Sequence, residues 1–344
     1  MQENVLKERA SYRNFSIDFY RFIGISLIIL AHCDIPWIIF QARNFDVPLM
    51  VFISGYCAVN FSSNSKNFNS YLKDRFLRLI VPTWIFLIFY FIIMPFFGVE
   101  TTRTEIIQSF LMTGGPVGVW IIRIFFFMAI ITPIILHLPK KYITARYLVI
   151  LLLLNELIIF IIQIFPPCPL VDIFSTLFVY TFSYFCVLYI GIAWESLGGK
   201  TRLLLIGIFF IIFFNFLCFF YFKNGFLILT QAYKTPPSLY YLSYALFMSL
   251  FLFMFNNSLI IEGLSKNHIV AFIGTHSLWI YLWHWMYLYA YDALCNNDNF
   301  WGTKFSIIFS CAVFTTFTQV VIFNKVTSGL SKKPKDLLFK VFIG

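Results

Sequence analysis

Long apolar stretches, separated by short polar or basic segments, run through most of this 344-residue chain. About 20 apolar residues in a row carry an α-helix across ~30 Å of hydrocarbon. The pattern offers ten such stretches, at roughly 17–38, 46–61, 79–98, 117–138, 147–165, 174–194, 203–222, 239–257, 270–291 and 304–323. The seventh and eighth are the least sharply bounded, because "YFKNGFLILTQAYKTPP" between them is itself partly apolar. No long polar linker, internal repeat or low-complexity segment divides the chain. The expectation is an all-α, polytopic transmembrane bundle of about ten helices. Residues 1–16 would form an N-terminal cytoplasmic segment, 17–323 the membrane domain and 324–344 a basic cytoplasmic tail.

Composition sharpens this by excluding a soluble domain. The chain is 60% hydrophobic and only 12% charged, with a mean hydropathy of +0.83, whereas soluble domains are about a quarter charged. Charge then orients the bundle. With the N-terminus inside, 18 of the 25 lysines and arginines fall in inside segments. Five fall outside (Arg43, Arg103, Lys223, Lys234 and Lys304), and Arg21 and Arg123 lie within spans. This bias predicts an even number of spans with both termini cytoplasmic. The net charge of +10 therefore reads as topology and contact with anionic lipid, not as nucleic-acid binding. No cleavable signal peptide is evident. Seven scattered cysteines show no metal-binding spacing, so no metal is expected. Cys168 and Cys295 fall in predicted outside loops, where they would be either a pair or two unrelated thiols.

Polar side chains inside spans are costly and usually face a bundle interior or a cavity. In "RFIGISLIILAH", Arg21 and His32 are eleven residues apart, which on an ideal helix leaves them about 20° apart in azimuth and about 16 Å apart along the axis. Asp18 lies on the same stripe. Counting ~1.5 Å per residue places His32, Ser54, Arg123 and His284 in one layer, in the outer third of the membrane. Glu156 sits nearer the midplane. Plainer readings stand beside these. Arg21 snorkelling to the interface, His32 and His284 as interfacial residues, Ser54-Gly55 as a close helix contact and Glu156 as an ion-pair partner for an arginine are each consistent with the sequence. Lys73, Arg75 and Arg78 in "YLKDRFLRLIVP" are either ordinary positive-inside flanking or a patch for a phosphorylated ligand.

Five segments in order resemble the acyltransferase family 3 proteins, bacterial membrane O-acyltransferases. "IDFYRFIGISLIILAH" is similar to the family's opening, an Asp-x-x-Arg start followed by an Arg-x10-His spacing, matched by Asp18, Arg21 and His32. "VPLMVFISGY" resembles its Phe-rich second span ending in Ser54 and Gly55. "YLKDRFLRLIVPTW" resembles its Arg-x-x-Arg-x-x-x-Pro segment, at Arg75, Arg78 and Pro82. "GVWIIRIFF" is similar to its fourth span, centred on Trp120, and "FIGTHSLWIYLWHW" to its late signature of Gly274, Ser277, Tyr281 and His284. The chain departs at Val51, where the family often has a further aromatic, and after Trp120, where an aromatic is usual. No SGNH-type domain is appended, as in the stand-alone members.

The resemblance implies acyl transfer, most often acetyl, in the bacterial cytoplasmic (inner) membrane. The donor would be cytoplasmic acyl-CoA (acetyl-CoA), and the acceptor a sugar hydroxyl of a surface polysaccharide or its lipid-linked precursor. A neutral imidazole suits activation of a hydroxyl near pH 7, so His32 is expected as the base, with His284 second. Arg75, Arg78 and Arg21, with Asp18 beside them, would hold the coenzyme A phosphates. Arg123 would stabilise the oxyanion or anchor an acidic acceptor group, and Ser54 would donate a hydrogen bond or carry the acyl group transiently. A transporter or flippase for polysaccharide intermediates is the alternative, since such bundles also bury Arg, His and Glu. It lacks support from any repeat of broken helices. A non-catalytic member of the fold is the third class.

Overall fold

A computed structural model describes residues 15–61, 68–166, 168–295 and 300–343. The predicted N-terminal segment therefore lies outside the described residues except for its last two positions. Among the described residues the chain is helical throughout, with no strand. The first half comprises α1 (Phe15–Leu30), α2 (Trp37–Ala42), α3 (Asp46–Phe61), α4 (Phe68–Ile93, extended by a 3-10 turn to Phe97), α5 (Arg103–Phe110) and α6 (Trp120–Leu136). There follow α7 (Ala145–Ile164), α8 (Pro169–Ser196, with a π turn at Ser175–Val179), α9 (Gly199–Asn224) and α10 (Leu239–Met254). The chain closes with α11 (Leu259–Ser265), α12 (His268–Thr275), α13 (Ser277–Leu294), α14 (Trp301–Thr327) and α15 (Lys332–Phe342).

Each predicted span falls on helix over most of its length. Among the described residues five helices (α4, α7, α8, α9 and α14) are long and apolar enough to cross a membrane. A sixth is added if α10 and α11, bent by 91°, count as one span. Their outward faces are apolar: Leu153 is 63% exposed, Phe314 70% and Phe222 83%. Such faces suit lipid, where helices satisfy their backbone polar groups internally.

Two predicted spans are broken. The first ends at Leu30: beyond it Asp34 takes a left-handed φ of 52°, and Pro36 caps the start of α2. His32 lies in the closing 3-10 turn, its N–H bonded to Ile29 O at 3.1 Å. The ideal-helix stripe from Arg21 thus stops just short of it. The ninth breaks at His276, which joins α12 to α13.

Close backbone contacts hold the centre. A Cβ on Gly55 would lie 2.3 Å from Leu188 O, and one on Gly191 2.2 Å from Phe52 O. These reciprocal glycines let α3 and α8 touch backbone to backbone. Gly274 does the same for α12 and α1, where a Cβ would meet Asp18 O at 2.0 Å. The C-terminal segment, predicted as a tail, folds as α15 and docks on the bundle. Lys340 pairs with Asp74 at 2.6 Å, Trp279 donates to Val341 O at 3.0 Å, and Phe342 stacks on Phe323 at 3.9 Å. Alternation of basic and apolar residues in "KKPKDLLFKVF" gives it one face to bury.

Candidate active site

The turn that ends α1 places His32 on the wall of a cavity of about 510 Å³. Aromatic rings surround the imidazole. Its centroid lies 4.5 Å from the ring of Trp285 and 5.7 Å from that of His284. His284 is fully buried behind Trp285, and its Nδ1 donates to Tyr281 O. That fixes the proton on Nδ1 and leaves Nε2 as an acceptor, without a protein partner among the described residues. Tyr281 in turn donates to Gly118 O at 2.5 Å. A side chain on Gly118 would strike Trp285 Cζ2 at 2.6 Å, so the residue before Val119 must be small. This contact fastens the loop ahead of α6 to α13.

Arg123, one turn into α6, reaches the same cavity. Its Nη1 donates to Met112 O at 2.6 Å and its Nη2 to Thr176 O at 3.1 Å, joining the loop before α6 to the π turn of α8. Among the described residues no carboxylate is paired with it.

Three charged residues that the sequence reading did not single out complete the wall. Asp46 opens α3 and accepts from Arg43 Nη1 at 2.7 Å and from the Val47 N–H at 2.7 Å. Lys234 Nζ stands 3.6 Å from Asp46. Lys234 comes from the partly apolar loop between α9 and α10. That loop is not a span end but folds inward, held by Asn44 to Thr230 at 2.8 Å and by the Thr230 N–H to Gln41 at 2.9 Å. It also brings Gln231 and Thr235 to the cavity. The clue available in the sequence was that Arg43 and Lys234 are basic residues on the side of the membrane that is poor in them.

The other predicted residues lie elsewhere. Ser54 hydrogen-bonds to Met50 O at 2.9 Å within its own helix and does not line the cavity; its neighbour Gly55 makes the helix contact described above. Among the described residues Glu156 is paired with no arginine: it accepts from the Leu239 N–H at 2.7 Å, where the N-terminus of α10 favours an anion. Arg21 lies 3.5 Å from Asp18 and donates to Cys57 Sγ at 3.8 Å. Arg75 is a second cationic neighbour of Cys57. Arg75 and Arg78 are exposed. Together with half-exposed Arg21 they form a basic surface at the end of α1 opposite His32, with guanidinium forks suited to phosphate oxygens. Among the described residues no group of three His, Cys, Asp or Glu side chains is placed to hold a metal ion. Cys168 and Cys295 are both free thiols.

A family model described as an acyltransferase domain matches residues 14–325. That stretch includes every helix from α1 to nearly the end of α14 and every cavity residue named above. No curated protein and no solved structure matches the chain.

Proposed function

Because the chain belongs to acyltransferase family 3 and is a multi-pass membrane acyltransferase, we propose that it transfers an acyl group, acetyl in the first instance, from cytoplasmic acyl-CoA. The acceptor is a hydroxyl of a cell-surface polysaccharide or of its lipid-linked precursor. On this reading the bundle has ten spans with both termini cytoplasmic, in the bacterial inner membrane. The observation that carries it is the position of His32: on the cavity wall, at the far end of α1 from the basic surface of Arg21, Arg75 and Arg78.

The chemistry follows from that separation. Arg75 and Arg78 hold the phosphates of the donor at the inner end, and the pantetheine arm runs along α1 for a distance of about 16 Å. His32 takes the proton of the sugar hydroxyl as its oxygen attacks the thioester carbonyl. The C–S bond then breaks, and His32 returns the proton to the departing thiolate. General-base assistance of this kind contributes about 10²- to 10⁴-fold. His284 sets the environment of His32 from behind, its tautomer fixed by Tyr281 O. Trp285, Trp120 and Tyr281 offer ring faces for a sugar, and the volume falls within the range of about 300–1,000 Å³ found for small-ligand sites.

Mass spectrometry of the surface glycan with and without the protein tests this reading. Ester-linked acetyl groups present only when the protein is expressed are the expected result. Export or flipping of a sugar intermediate with no change in acylation would contradict it and favour the transporter class.

A further inference from the structure

Charge is unbalanced in the wall of the His32 cavity. Among the described lining residues there are three basic side chains, Arg43, Arg123 and Lys234, against a single carboxylate, Asp46. All four are nearly or fully buried, at 4%, 5%, 7% and 2% exposure respectively. Buried charges are costly unless paired and hydrogen-bonded. Asp46 is largely used up by Arg43 and Val47, and Lys234 stands 3.6 Å away, beyond a hydrogen bond. The Nε atoms of Arg43 and Arg123 are buried with no acceptor among the described residues. Phe40 and Tyr241 lie under the Arg43 and Lys234 head groups at 4.0 and 5.8 Å, which holds them without supplying an acceptor. The neighbouring Lys304, by contrast, is fully matched by Asp34 and Asp292, both at 2.7 Å. The surplus is thus local to the cavity.

We propose that this cavity recognises an acceptor bearing an anionic group, a carboxylate or phosphate on the sugar, which Lys234, Arg43 and Arg123 neutralise while His32 faces the hydroxyl to be acylated. The proposal rests on the acyl-transfer reading for the role of acceptor, but the charge surplus stands without it. Lys234 is the specificity-determining residue, because its ammonium stands beyond hydrogen-bond distance of Asp46, whereas Arg43 bonds that carboxylate and Arg123 bonds two backbone carbonyls.

The test measures binding, not turnover. The full chain is placed in nanodiscs of zwitterionic lipid, and the fluorescence of Trp120 and Trp285 in the cavity reports titration with three disaccharide probes. One carries a glucuronate, one a sugar phosphate, and one a neutral glucose at the same position. At least one anionic probe should bind about tenfold or more tightly than the neutral one, as expected for a charge-assisted contact. The tighter of the two identifies the anion. Lys234→Met should remove most of this preference, whereas Lys234→Arg should retain it. Equal binding of all three probes to the unaltered protein overturns the proposal even if no variant folds. So does a preference that survives Lys234→Met, or competitive displacement of the anionic probe by coenzyme A alone, which would assign the cations to the donor. A protein that binds anionic probes yet transfers no acyl group would refute the proposed function and leave this site standing.

Discussion

Arg123 holds two carbonyls that no other side chain serves, Met112 O and Thr176 O. Hydrogen bonds to a charged group are worth about 1.5–3 kcal/mol, and leaving buried acceptors unmet adds to the loss. Arg123→Gln should therefore lower the thermal unfolding temperature of the detergent-solubilised protein by several degrees; an unchanged unfolding temperature would assign the arginine to substrate alone. His32, His284 and Arg123 were legible in the sequence because each is expensive in a span. Arg43, Asp46 and Lys234 were not, because polar residues in loops are ordinary and a linear sequence does not show a loop folding inward. Ser54 was over-read: its hydroxyl bonds within its own helix, and the adjacent glycine makes the contact.

At the scale of elements, the hydrophobic pattern located the helices well and their breaks poorly. α1 ends at Leu30, a left-handed Asp34 follows it and Pro36 caps α2, whereas the apolar run continues through "IPWIIF". The break at His276 has no proline or glycine at the junction itself to announce it. Gly55, read as a helix-contact candidate, and Gly274, part of the late signature, both prove to be backbone contacts. Gly274→Leu should drive α12 from α1, because the obstacle is the Asp18 carbonyl and not a movable side chain. Overpacking costs about 1–3 kcal/mol or more, so the expected outcome is a sharp fall in folded yield on fluorescence-detected size exclusion, while Gly198→Leu, in open space, leaves yield unchanged. On the exposed face of α4, Arg75→Ala with Arg78→Ala should raise the KM for acyl-CoA about tenfold or more with kcat little altered. A loss of abundance with an unaltered KM would return these residues to topology.

Across the whole molecule, the proposed function divides the work between two ends of one helix: exposed arginines at one end for the donor, and a half-buried histidine on a cavity wall at the other for the acceptor. The C-terminal helix α15 belongs to the first end. By pairing Lys340 with Asp74, it neutralises the acid beside Arg75. Truncation after Gly329 should expose that acid and weaken donor binding, seen as a raised KM for acyl-CoA with acceptor binding unchanged. The most direct measurement of the central claim, however, concerns His32. Membranes matched for protein amount, carrying either the unaltered chain or His32→Gln, are incubated with radiolabelled acetyl-CoA and the surface glycan. The account predicts label transfer by the unaltered protein and a fall of about a hundredfold or more in the variant; transfer undiminished in His32→Gln would contradict it.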